Sequence, residues 1–362
     1  MADLEEYFTQ QGPRPDLAGQ VVISQAVTNG YAFPKLFPII IQSEKAGTMA
    51  HAPVGMTTQQ GVEGRANSDA LEDGALAPID HPWSVSRLEG RSKIYSSDVP
   101  GFGDMAAADG FGGEDAGRKA WNKAENKAAA LVFSAARIAA KTTLADHAVI
   151  RTLQQKAKAV RKYGKAYLVM TDTAWLAFCD IPEIRARLEK SSNAVGDLGY
   201  MALADPKVMQ AVSTYVKFEG VILIDSEIVG NGYDNFVAVV GLRSEAFAGG
   251  GNAVMTAKRA ATYGAAMFYI PKQANQEQPF AMSSFPDRIK KCSYYDAEGF
   301  YSLEELHTAA VVVCEFAASY TEFSDSAPKG APRAARGKAG APVLPLGEGA
   351  DEADEPADTE TK

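Results

Sequence analysis

The sequence predicts a mixed α+β chain, and three observations carry that reading. The first is Glu114–Thr142, a proline-free stretch dominated by alanine, lysine, arginine and leucine. These are the residues that lose least on entering a helix. The second is a set of β-branched runs, with Gly220–Ile224 (GVILI) and Asn235–Leu242 (NFVAVVGL) the clearest. The third is their order along the chain, in which helix, strand, helix, strand and strand alternate without a repeating unit.

Each element has its own justification. In Glu114–Thr142, Ala116, Ala120, Ala124 and Ala128 recur every four residues, and Leu131, Val132, Ala135, Ile138 and Ala139 prolong the seam. That is one face of a helix, and at 1.5 Å per residue its length would be roughly 43 Å. Glu114 and Asp115 stand four residues before Arg118 and Lys119, the favoured direction for ion pairs. An alanine seam lets a sheet approach the axis closely. The competing reading is the long core helix of an ordinary enzyme.

Upstream, Leu4–Gln10 suits a short helix leading into an extended arm, and Gln20–Ala26 fits strand or helix equally. Pro34 and Pro38 disfavour helix around them, so Phe37–Gln42 reads as a strand. From Ala52 to Gly113 the composition turns to Gly, Asp, Ser, Asn and Pro. Within it Pro82–Leu88 and Ser92–Ser97 read as strands joined by a Glu89-Gly90-Arg91 turn. Such a region is either a disordered insertion or an arm that orders against another subunit. On the second reading Glu89, Gly90, Arg91 and Lys93 are candidate intersubunit contacts.

Downstream, Ala145–Tyr163 places Val149, Leu153, Ala157 and Val160 on one helical face, closed by Gly164. Ala166–Met170 is a buried strand, Asp172–Phe178 and Pro182–Lys190 are short helices, and Ser191–Gly199 is a boundary. Asp205-Pro206 opens a helix to about Tyr215, and Asn231-Gly232 turns between the two clear strands. Ala265–Ile270 and Ala309–Cys314 are further strands, while Leu303–His307 is at most a helical turn. From Ser326 the chain is Ala, Gly, Pro and charge, basic then acidic, and is predicted disordered.

The totals exclude several functions. A chain of 362 residues with 46% hydrophobic residues holds a sizeable core. A net charge of −9 argues against a dedicated nucleic-acid binder. No apolar run reaches the ~18 residues of a membrane span, and MADLEEYFTQQ lacks the layout of a secretory signal. Cys179, Cys292 and Cys314 are unpaired in sequence and read as free buried thiols. His51, His81, His147 and His307 are scattered without ligand spacing. No HExxH, CxxC pair, GxSxG or P-loop occurs, so no catalytic, cofactor or metal residue is assigned. Gly249–Gly251, following the NFVAVVGL strand, is the one feature that keeps a nucleotide-using enzyme in view.

The order of segments resembles the major capsid proteins of tailed bacteriophages, which share the HK97-like fold. LFPIIIQSEKAGTMAH is similar to that family's opening strand and turn, and the Gly/Asp-rich region to its extended loop. AYLVMTDTAWLAFCDIPEIRARLEK, with Trp175, resembles its strand–helix unit. GVILIDSEIVG and AAMFYIPKQANQEQPF resemble strands of its axial domain. The resemblance implies an arm over 1–20, an extended loop over 51–112 and an axial domain over 196–300. It implies a peripheral domain over 21–50, 113–195 and 301–325, with the tail, 326–362, outside the core. It also implies a non-enzymatic shell subunit that self-assembles into hexamers and pentamers around double-stranded DNA, which it contacts without sequence specificity. Partners would be a separate scaffolding protein, a portal and a decoration protein, and no membrane. The location would be the virion capsid, and the host cytoplasm during assembly. Some members cross-link through a loop lysine; Lys93 lies in the expected hairpin, but no partner is identified and no cross-link is inferred. The nearest alternative on the same fold is an encapsulin-type compartment shell.

Overall fold

The computed structural model describes residues 12–13, 30–51, 79–144, 148–185, 206–243, 262–270 and 279–316. The expectations at Leu4–Gln10, Gln20–Ala26, Ser191–Gly199, Gly249–Gly251 and the tail, as well as His147, lie outside these residues.

Two sheets organise the body. The first has six strands: β1 (Gly12–Pro13), β2 (Ile39–Gln42), β5 (Ser86–Tyr95), β10 (Gly264–Tyr269), β11 (Ala281–Asp287) and β12 (Cys292–Glu305). Strand β12 is its axis. One of its edges takes β11 and then β10, both antiparallel, and the other takes β5, antiparallel from Tyr95 opposite Cys292 to Ser86 opposite Tyr301. Strand β2 joins β10 in parallel, and β1 joins β11.

Helix α3 (Met105–Val132, 28 residues) lies across this sheet. The alanine seam is where the periodicity put it: Ala116, Ala120, Ala124 and Ala128 are all buried. The ends differ from expectation. The helix begins before Glu114 because Asp104 caps it, accepting the Ala107 N–H at 2.7 Å. It continues through Gly112, whose missing Cβ leaves room for the Tyr295 ring, 2.4 Å from where that atom would stand. It stops at Val132 because Arg137, in the short helix α4 (Ala135–Ala139), turns back to donate to the Leu131 carbonyl.

The second sheet runs β6 (Thr142–Thr143), β13 (Val311–Glu315), β9 (Phe236–Leu242), β7 (Lys165–Thr171), β8 (Gly220–Ile224). It is apolar on both faces, as near-continuous hydrophobic strands require. Val237 and Val239 pack with α5 (Val149–Val160), α6 (Asp172–Cys179) and α7 (Pro206–Val216), whereas Ala238 and Val240 join the core beneath α3. The four residues assigned to the buried face of α5 are buried. A third element is the antiparallel ribbon β3 (Ala46–His51) and β4 (Ile79–Ser84), whose Met49 and Trp83 cover Ile40, Met267 and Leu306.

Several expectations are corrected. Glu89-Gly90-Arg91 is not a turn; it lies in the middle of β5, paired with Glu298, Ala297 and Asp296. The hairpin is instead the β3–β4 ribbon. Phe33–Leu36 is a short helix (α1) despite Pro34, which occupies a first-turn position where no N–H is needed. Leu303–His307 is not helical, since Leu303, Glu304 and Glu305 close the fourteen-residue strand β12. Strand pairing also runs across residue 196. Strand β7 pairs with β8 and β9 beyond that residue, while β10 and β12 join the sheet under α3.

Candidate assembly surfaces

Among the described residues, glycine and alanine allow a very close approach of helix to strand. A Cβ on Gly90 would stand 1.9 Å from the Ala116 carbonyl oxygen and 2.6 Å from the Ala120 nitrogen, both backbone atoms of α3. A strand glycine here marks backbone meeting backbone. Flanking it, Leu88, Ser92 and Ile94 are buried on the same face, and the Ser92 hydroxyl donates to Asp115 at 2.8 Å. Asp115 in turn pairs with Lys119, as the spacing predicted, and also takes Arg118, which the spacing had set against Glu114. One turn before Gly112, Asp109 accepts the buried Tyr295 hydroxyl at 2.5 Å; burial raises its carboxyl above the ordinary range.

The opposite face of β5 and β12 is open. Arg91 holds Asp296 with two bonds of 2.6 and 2.7 Å. Arg87 bridges Glu298 at 2.9 Å and Glu89 at 3.3 Å. Lys93 reaches the Tyr95 hydroxyl at 2.5 Å. Of the four candidate contact residues, Glu89, Arg91 and Lys93 therefore share an outward face, and Gly90 is turned inward beneath the helix.

Features invisible in the sequence lie between segments. Glu125 of α3 is buried and accepts N–H groups from Ala32 at 2.9 Å and Phe33 at 2.8 Å. Burial pushes its carboxyl up to about 7, against the lowering effect of those two bonds. Glu305 accepts from Tyr263 at 2.6 Å and Arg137 at 2.7 Å, tying the end of the spine to β12. Three of the scattered histidines converge: the His51 ring centroid lies 4.8 Å from that of His307 and 6.1 Å from that of His81. His81 Nε2 stands 3.0 Å from Glu304. Among the described residues no group of three His, Cys, Asp or Glu side chains is placed to hold a metal ion. Cys179, Cys292 and Cys314 are free and buried, and burial raises the thiols of Cys179 and Cys314. No helix among the described residues is long and apolar enough to cross a membrane.

This arrangement is the HK97-like capsid fold, with its long spine helix laid across a sheet. The chain is similar to a phage-related protein from Bordetella bronchiseptica RB50, with a TM-score of 0.55 and 10% identity over 85% of this chain and 98% of that one. Two further solved structures are similar at lower scores. A virus-like particle from Pyrococcus furiosus gives 0.46 at 10% identity over 83% and 98% of the two chains, and the capsid of Cyanophage P-SCSP1u gives 0.44 at 10% over 78% and 86%. The sequence matches no family model and no curated protein.

Proposed function

We propose that this chain is a shell subunit, the major capsid protein of a tailed phage, and not an enzyme. The observation that carries the reading is the HK97-like fold itself. The chemistry is consistent with it: among the described residues, buried carboxylates and tyrosines are spent on joining segments of the body. The chain assembles with itself into hexamers and pentamers of an icosahedral head. It encloses double-stranded DNA without reading its sequence, and it works with separate scaffolding, portal and decoration proteins. It resides in the virion after assembly in the host cytoplasm. On this reading the six-stranded sheet and α3 make the peripheral part and the five-stranded sheet the axial part, with Glu89, Arg91 and Lys93 facing a neighbouring copy.

Negative-stain microscopy of the purified chain, alone and with its scaffold, tests this proposal. Closed shells of uniform curvature are expected. A monomer by light scattering at every concentration and with scaffold present overturns it. Particles recovered from producing cells should contain double-stranded DNA; a protein cargo in its place would make the shell a compartment of the encapsulin type.

A further inference from the structure

One end of the six-stranded sheet carries two unlike surfaces. The first is the turn between β11 and β12, residues 288–291. Asp287 Oδ1 holds it in shape by accepting the N–H groups of Ile289 at 3.1 Å and Lys290 at 3.0 Å. On this support Ile289 stands 95% exposed, and Phe285, near the end of β11, is 44% exposed. Arg288, Lys290 and Lys291, its neighbours in the turn, are exposed as well. Lys290 lies 3.6 Å from Asp287, whereas Arg288 and Lys291 have no ion pair among the described residues.

The second surface is the start of α3. Asp104, Ala107, Phe111 and Glu114 follow one another at spacings of three and four residues, so they share a helical face, and each is exposed. Phe111 is 46% exposed, and its ring centroid lies 5.0 Å from that of Phe102 in α2 (Val99–Phe102). Asp98, exposed just before α2, adds a third carboxylate. The next cations along the helix, Arg118 and Lys119, are taken by Asp115. The two surfaces are neighbours: the Ser96 N–H donates to the Lys291 carbonyl at 2.9 Å, and Asp109 of α3 holds Tyr295 of β12.

One surface is cationic and the other acidic, and each has an exposed apolar side chain at its centre. That is the layout of an interface, with an apolar middle and a charged rim. Resting on the shell reading above, we propose that the 288–291 turn of one copy docks on the α3 start of a second copy. Ile289 covers Phe111, and Arg288 and Lys291 meet Glu114 and Asp98. A nucleic-acid backbone would satisfy the cations but would leave Ile289 in water, so the apolar centre favours a protein partner. Because the two halves differ and stand side by side, each copy gives its turn to one neighbour and its helix start to another. Head-to-tail contacts of this kind form rings when the rotation closes.

The test mixes two full chains under assembly conditions and mild oxidation, one carrying Ile289→Cys and the other a tagged Phe111→Cys. Ile289→Cys mixed with Glu227→Cys, an exposed residue following β8 of the other sheet, is the control. A disulfide between the unlike chains is expected, rising with protein concentration and exceeding the control. A yield no higher than the control overturns the proposal. So does an Ile289→Cys chain that couples mainly to itself, which would set turn against turn. Arg288→Glu with Lys291→Glu on the first chain should lower the yield about tenfold, and Asp98→Lys with Glu114→Lys on the second should restore it. All these residues are exposed, so the fold tolerates the changes. A yield indifferent to the first pair, or not restored by the second, overturns the docking. Shells that form without this disulfide would sink the contact and leave the shell reading standing, whereas the disulfide in chains that never close a shell would do the reverse.

Discussion

The two faces of the β5–β12 pair belong to the same residues in alternation, yet they are built to different tolerances. The inner face meets α3 through Gly90, Ser92, Ala116 and Ala120, with main chain against main chain. The outer face meets water through Arg87, Glu89, Arg91 and Lys93; Arg87 and Arg91 pair across strands with Glu298 and Asp296, and Lys93 pairs along its own strand with Tyr95. Inside, a single methyl group does not fit. Outside, whole side chains can be exchanged at little cost to stability, which leaves that face free to be shaped by what it contacts. Fold is specified on one side of the strand and partner choice is available on the other.

The strongest way to break this comparison is Gly90→Ala. The added Cβ would fall 1.9 Å from a backbone oxygen, and no rotamer change relieves a clash between main chains. The helix would have to lift from the strand along its seam. Overpacking of this kind costs about 3 kcal/mol or more, so chemical denaturation should show a large drop in midpoint and soluble yield should fall. A variant as stable as the parent would mean that α3 and β5 are not in contact at this residue.

Glu125 sharpens the contrast, because it is a carboxylate placed inside the body. Its pKa rises from the usual 4.5 to about 7, chiefly through burial. Between those two values the folded chain holds a proton that the unfolded chain has released. Stability from this group is therefore greatest at and below pH 4.5, falls as pH rises, and reaches its minimum above 7. The change is on the order of 3 kcal/mol. Glu125→Gln removes the titration, so the difference in unfolding free energy between parent and variant should vary with pH across this window and be flat on either side. A constant difference from pH 4 to 8 would show that the carboxyl titrates normally.

Much of the inner face was legible, and the reasons for the misses are particular. The alanine seam is periodic, so its burial followed from spacing. Gly90 was misread because glycine serves both turns and close approaches; only the position of Ala116, 26 residues away in sequence (116 − 90), tells them apart. Gly112 misled in the same way, its missing side chain making room for Tyr295. Strand β12 was missed because its outer residues, Asp296 and Glu298 among them, answer cations on β5 and dilute the apolar signal. Glu125, the Tyr263–Glu305–Arg137 linkage and the meeting of His51, His81 and His307 depend on which segments come together. Local pattern carries no trace of that.

The smallest expected effect tests the outer face itself. Arg91 and Asp296 make the best geometry there, two nearly equal bonds from one guanidinium to one carboxylate. The hydrogen bonds to Asp296, and then its charge, hold the Arg91 guanidinium's pKa above its ordinary value. The Arg91 side chain is nevertheless 67% exposed, and solvent screens most of that attraction. A double-mutant cycle with Arg91→Ala and Asp296→Ala should therefore give a coupling of about 0.5 kcal/mol, shrinking as salt is raised. A coupling several times larger, indifferent to salt, would mean the pair is buried and would remove the distinction between the faces. If the outer face does meet another copy, the same two substitutions should weaken association far more than they weaken the fold, because the desolvation that is absent in the free chain would then occur at the contact. Measuring unfolding and assembly on one set of variants separates the two costs: a loss confined to unfolding makes Arg91 a structural residue, and a loss confined to assembly assigns the outer face to the neighbour.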